Sequence, residues 1–262
     1  MTGRRVERTP TAPSRAGLVA VYGAIAAAAG LAWLATAAAM AGMAAMPADM
    51  VGPQSWSTAR FVAGAGMWVL MMAAMMLPTA APMTATFAGL SRRRLDPSTA
   101  SSLTVLFVTG YLMTWMLFSV VAALAQQVLT AAGALAGGVL AWPLAGAVLI
   151  GAGIYQLTPT KDACLRRCRS PFGFLAAHWR DGLAGAAMLG VRHGLWCLGC
   201  CVPLMLVLFA VGVMSLVWMA VLTLLVLGEK TLPFGPTVAR VSGLGLIVLG
   251  GWTLTPFSGV AP

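Results

Sequence analysis

Three cysteines and a histidine fall within nine residues of an otherwise apolar stretch, Arg192-His193-Gly194-Leu195-Trp196-Cys197-Leu198-Gly199-Cys200-Cys201-Val202-Pro203. On a helix, residues three and four apart share a face. His193 to Cys197 is a step of four, Cys197 to Cys200 three, and Cys197 to Cys201 four. At about 100° per residue, the four side chains occupy roughly a third of the circumference. Thiolates and imidazole are soft ligands that suit copper(I), zinc and iron–sulfur centres. Cysteine is also a small hydrophobe that packs well in an apolar interior, so a purely structural reading stands beside the chemical one.

Two further groups share this chemistry. In Lys161-Asp162-Ala163-Cys164-Leu165-Arg166-Arg167-Cys168-Arg169, Cys164 and Cys168 are one helical turn apart and surrounded by cations, which favour thiolate over thiol. Upstream, Met67, Met71 and Met75 form a row at steps of four, with Met72 and Met76 beside it. Thioether sulfur suits copper(I); methionine is equally a flexible filler of apolar cores. Of these, Met71 and Met75 are the candidate ligands. His178 reads as an interfacial residue. Glu229 reads either as a partner of Lys230 or as a group reaching the metal site.

Composition says what positions these residues. The chain has 262 residues, 60% hydrophobic and 8% charged, with a mean hydropathy of +0.90. A soluble domain carries about 25% charged residues. The expected fold is therefore all-α, a polytopic transmembrane helical bundle of about seven spans, or six, in contact with the lipid bilayer. The net charge of +10 does not point to nucleic acid, because the cations lie between apolar runs. Lys and Arg concentrate in cytoplasmic loops, and this topology sends all of them but Arg60 to one side. The N-terminus is then cytoplasmic. Residues 1–17 read as a disordered tail and 18–257 as a single transmembrane domain. No Walker-type Gly-rich loop is present, which argues against ATP hydrolysis.

Taken in order, the expected spans are Leu18–Met40, about Phe61–Leu90, Ser102–Val128, Val139–Leu157, Gly194–Val211, a sixth ending near Leu227, and Val241–Leu254. Residues 41–60 and the Gly-rich 133–138 stretch read as external turns. Pro78 and Pro82 each remove a backbone donor and are expected to bend or break the second span. Leu183–Arg192 reads as an amphipathic or partly embedded segment. The cysteine stripe then begins within a turn of the cytoplasmic surface, where the loop cysteines meet it. Gly228-Glu229-Lys230 reads as a return to the cytoplasm. That compartment keeps thiols reduced, which favours metal binding over a structural disulfide.

Several stretches together carry a resemblance. They are Met71-Met72-Ala73-Ala74-Met75-Met76-Leu77-Pro78; Tyr155-Gln156-Leu157-Thr158-Pro159 through Cys164-Leu165-Arg166-Arg167-Cys168-Arg169-Ser170-Pro171; Gly199-Cys200-Cys201 with Pro203-Leu204-Met205; Gly212-Val213-Met214; Trp218-Met219; and Glu229-Lys230. The chain resembles a bacterial family of predicted metal-binding integral membrane proteins, a domain of unknown function. The resemblance implies a multi-pass protein of the bacterial cytoplasmic membrane with a metal site. Similar proteins often carry His between the loop cysteines, where this chain has Arg167, which leaves one fewer ligand.

The leading expectation is copper(I) handling, meaning transport, storage or delivery, through Cys164, Cys168, His193, Cys197, Cys200 and Cys201, with Met71 and Met75 as weaker sites. Zinc or iron fits the same ligand types. A metallochaperone or a redox partner would supply or receive the cargo. The alternative is a membrane thiol–disulfide electron carrier, since exchange needs one attacking thiolate and one resolving partner. A third reading is a structural membrane partner with no site of its own.

Overall fold

The computed structural model describes residues 15–44 and 57–255. Among these the chain forms nine helices and one minimal hairpin. They are α1 (Arg15–Ala44), α2 (Thr58–Arg94), α3 (Pro97–Ala131), β1 (Leu135–Ala136), β2 (Val139–Leu140), α4 (Trp142–Gln156), α5 (Pro159–Arg169), α6 (Pro171–His178), α7 (Gly182–Val211), α8 (Leu216–Thr231) and α9 (Gly235–Thr253). The all-helical expectation holds, apart from the antiparallel pair β1–β2 at the Gly-rich turn. Four helices, α1, α2, α3 and α7, are long and apolar enough to cross a membrane. Most of the tail assigned to 1–17, and residues 45–56 of the loop assigned to 41–60, lie outside the described residues.

Six helices close a ring, in which α2, α3, α7, α4, α9 and α8 are successive neighbours and α8 returns to α2. Helix α1 packs on the outside of α2; only 17% of its apolar window is buried, against 56% for α7. The close contacts rest on small residues, as expected where helix backbones must approach. A Cβ on Gly190 of α7 would strike the backbone carbonyl of Phe107 on α3. Gly153 of α4 and Gly243 of α9 oppose one another in the same way.

Three expectations are corrected. First, α2 runs unbroken through Pro78 and Pro82. Pro78 cannot donate to the carbonyl of Ala74, four residues back; the indole N–H of Trp33 on α1 donates to that oxygen instead, at 3.1 Å. Second, residues 183–193 are not a separate segment: α7 is one helix from Gly182 to Val211. Cys197 is thus 15 residues beyond Gly182, about 22 Å along the axis, in the middle of the helix rather than near its end. Third, Gly228-Glu229-Lys230, read as the return to the cytoplasm after a span ending near Leu227, still belongs to α8, with Glu229 and Lys230 buried at 1% and 8% exposed.

Candidate metal centre

Helix α7 supplies the centre of the site. His193, Cys197, Cys200 and Cys201 all face inward, and none is more than 2% exposed. The three sulfurs of Cys197, Cys200 and Cys201 form a buried group within 4.8 Å of one another, with Cys200 Sγ and Cys201 Sγ 3.3 Å apart. All five cysteines are free thiols. His193 does not join the three. Its ring lies between Phe107 and Tyr111, at centroid distances of 6.0 and 5.3 Å, with Phe174 edge-on. Neither of its ring nitrogens has a hydrogen-bond partner in the structure.

Pro203 prepares the backbone here. It has no N–H to offer the carbonyl of Gly199, four residues back, so that oxygen faces outward without its helical donor. The Tyr155 hydroxyl of α4 donates to it at 2.6 Å. One residue on, the Cys200 carbonyl accepts from Lys161 Nζ at 2.6 Å. The proline just after the cysteines thus opens one acceptor to α4, and the next carbonyl takes a second donor from α5.

Lys161 is fully buried, although its sequence context is a basic loop. It also pairs with Glu229 Oε2 at 2.7 Å, while Gln156 Nε2 donates to Glu229 Oε1 at 2.6 Å. Burial is the largest influence on Lys161 and pulls its pKa down, but Glu229 together with the Cys201 and Cys200 sulfurs outweighs it, and the pKa is raised. Arg169 Nη1 donates to the Glu229 carbonyl at 2.6 Å, tying α5 to the end of α8.

The neighbouring cation has a different partner. Lys230 Nζ donates to Cys197 Sγ at 2.9 Å and to Thr79 Oγ1 of α2 at 3.1 Å. The Tyr111 hydroxyl lies 3.2 Å from the same sulfur and donates to the Met76 carbonyl. Among the described residues, Lys230 forms no ion pair with a carboxylate. A buried ammonium is costly without polar partners, and those that Lys230 finds are the Cys197 sulfur and the Thr79 hydroxyl. The expected Glu229–Lys230 pair is therefore corrected: Glu229 serves Lys161, and Lys230 serves the thiol group. Adjacent residues on a helix point about 100° apart, so the two diverge.

The remaining candidates take up graded positions. Cys168 Sγ of α5 is 3.9 Å from Cys200 Sγ, so the loop cysteines do meet the stripe, because α5 is sunk against α7. The Arg167 guanidinium lies over the Trp196 ring at 3.8 Å. Burial pushes the Cys164 thiol up, against the opposing pull of Arg167 and Lys161; the expected advantage from nearby cations is outweighed. Met71 and Met75 are fully buried in the same core as the five cysteines. His178 accompanies the Phe174 ring and carbonyl on α6, away from the thiols.

The sequence reading did not single out Lys161, Lys230, Tyr111, Gln156 or Tyr155 as site residues. A signal existed for the lysines: an ionisable residue beside an apolar run is functional by default when it cannot reach water.

Three free thiols and the Lys230 ammonium meet in the interior of this helical bundle, and thiols are the donor type that suits a soft metal. The family model PpoB2, described as copper chaperone, matches residues 65–253, a stretch containing every candidate ligand. The chain belongs to this copper chaperone family. No curated protein and no solved structure matches it.

Proposed function

We propose that the chain is an integral membrane protein that binds copper(I) at Cys197, Cys200 and Cys201 and passes it on. The observation that carries the reading is the buried trio of free thiols beside Lys230. Thiolate is the soft ligand that copper(I) prefers. Lys230 supplies the positive charge that a copper–thiolate group needs in a dry interior. Three thiolates and one copper(I) carry a net charge of about −2, and the Lys230 ammonium offsets half of it. Membership of a copper chaperone family supports copper as the cargo.

The bilayer reading draws on the outward faces. Val121 is 57% exposed, Leu224 68% and Val248 71%; water-soluble proteins rarely expose broad apolar surface, whereas lipid covers it. Met71, Met75 and His193 are proposed as auxiliary to the trio, and Cys164 and Cys168 as thiols that meet the copper without retaining it, with the bacterial cytoplasmic membrane as the location.

A second reading, thiol–disulfide exchange, draws on the Cys168–Cys200 contact. Metal content separates the two. Mass spectrometry of detergent-purified protein kept reducing throughout is expected to find near-stoichiometric copper in the wild type and little in a Cys197→Ser/Cys200→Ser/Cys201→Ser variant. A metal-free wild type with an accessible disulfide would overturn the copper reading and favour electron transfer.

A further inference from the structure

Two cysteines stand outside the trio yet approach it. Cys168 Sγ contacts Cys200 Sγ at 3.9 Å. A Cβ on Gly199 would lie 3.0 Å from Cys164 Sγ, so the absence of a side chain there leaves room for that sulfur against α7. Exposure falls inward along this line: Cys164 is 7% and Cys168 8% exposed, Cys200 1%, and Cys197 and Cys201 0%. Arg166 and Arg167 of α5 are exposed, so the outer end is cationic.

The spacing suits a shared ion. With metal–thiolate bonds of about 2.3 Å, a planar three-coordinate centre holds its sulfurs about 4.0 Å apart. The Cys168–Cys200 separation of 3.9 Å lets one ion be held from both helices with little movement of either.

We propose that Cys168, assisted by Cys164, is the loading relay of the site: it takes copper(I) from an anionic carrier at the cationic end of α5 and hands it to Cys200. The inference rests on the copper(I) reading above. Cys164 and Cys168 replace the carrier's ligands on copper, and their thiol protons pass to those ligands or to water. The Cys200 sulfur adds next. The copper–sulfur bond to Cys164 breaks, and that sulfur takes the proton Cys200 gives up. Cys201 displaces Cys168 in the same way, and Cys197, whose sulfur Lys230 contacts, completes the set as its proton passes to water. Bonds are exchanged, protons are conserved and copper remains monovalent throughout.

The test mixes full-length protein in detergent with the copper(I)–bicinchoninate complex without oxygen and follows loss of the chelate's colour. In Cys164→Ser/Cys168→Ser, and in the Ala/Ala pair as a packing control, the copper finally bound should match wild type. The transfer rate should fall by about tenfold or more, a barrier rise of about 1.4 kcal/mol. Unchanged rates would overturn the relay, as would loss of bound copper in variants with native helical circular dichroism. A second measurement needs no variant: in copper-loaded wild type, Cys164 and Cys168 should alkylate as fast as in metal-free protein while the trio is protected. Equal protection of all five thiols would make the outer pair resident ligands and overturn the relay. Failure of the wild type to take copper at all would instead refute the copper reading itself.

Discussion

At the scale of single residues, the site is set by where two buried lysines find their partners. Lys161 has Glu229; Lys230 has the Cys197 sulfur. Replacing Lys230 by Met removes the counter-charge without touching a ligand. We expect copper affinity to fall about 10–100-fold, the range for losing a supporting partner of a metal site, as measured by competition with bicinchoninate; an unchanged affinity would remove Lys230 from the site. Glu229→Gln leaves the Lys161 ammonium buried beside a neutral amide. Breaking a buried pair from one side costs about 3–5 kcal/mol, so thermal unfolding in detergent should begin well below wild type. The double variant Lys161→Met/Glu229→Leu should recover part of that loss. The cysteine stripe was legible in the sequence because steps of three and four fix a helix face whatever the fold. The partners of the stripe were not. Glu229 and Lys230 adjoin in the chain, and only the packing of α8 between α2 and α9 decides that one turns to Lys161 and the other to Cys197.

At the scale of elements, prolines and glycines decide how helices meet. Pro203 leaves the Gly199 carbonyl to Tyr155, and Pro78 leaves the Ala74 carbonyl to Trp33. Tyr155→Phe should cost about 1–3 kcal/mol, the penalty of an unpaired buried acceptor, and should loosen α4 from α7; a melting curve identical to wild type would mean that water replaces the hydroxyl. Gly190→Ala should cost about 1–3 kcal/mol through overpacking at the α3–α7 crossing, read as lower thermal stability with full copper binding in the surviving folded fraction. The all-helical, apolar character of the bundle was readable from composition; the span count was not, since about seven were expected and four of the described helices are long and apolar enough to cross a membrane. The continuity of α7 was not, because Arg192 and His193 look like a boundary. Arg192 is exposed and His193 sits in an aromatic enclosure, so neither interrupts the helix. Likewise, α2 continues through Pro78, and the donor that takes up the freed Ala74 carbonyl, Trp33, is 41 residues away in sequence.

At the scale of the whole molecule, the two ends of the bundle differ in character. At one end, Arg94 of α2 lies over Trp179, 5.1 Å from its ring centroid, just past the end of α6, which follows the cationic α5. At the other, the amide of Val213 donates to the Gly138 carbonyl, joining the α7–α8 turn to the β1–β2 hairpin. Cations collect on the cytoplasmic side of membrane proteins. Single cysteines placed at Arg93 and Arg166 should therefore react with an impermeant maleimide only after cells are opened, and one at Ala132 should react in intact cells. The reverse pattern would invert the proposed orientation and place the α5 cysteines on the outside.

The central claim is that copper(I) is held by sulfur from the trio on α7. X-ray absorption at the copper K-edge on the copper-loaded protein tests it most directly. The account predicts monovalent copper with two or three sulfur neighbours at about 2.3 Å, the length of a metal–thiolate bond, and loss of that sulfur shell in the Cys197→Ser/Cys200→Ser/Cys201→Ser variant. A shell of nitrogen and oxygen alone, or a sulfur shell that survives in the variant, would contradict it.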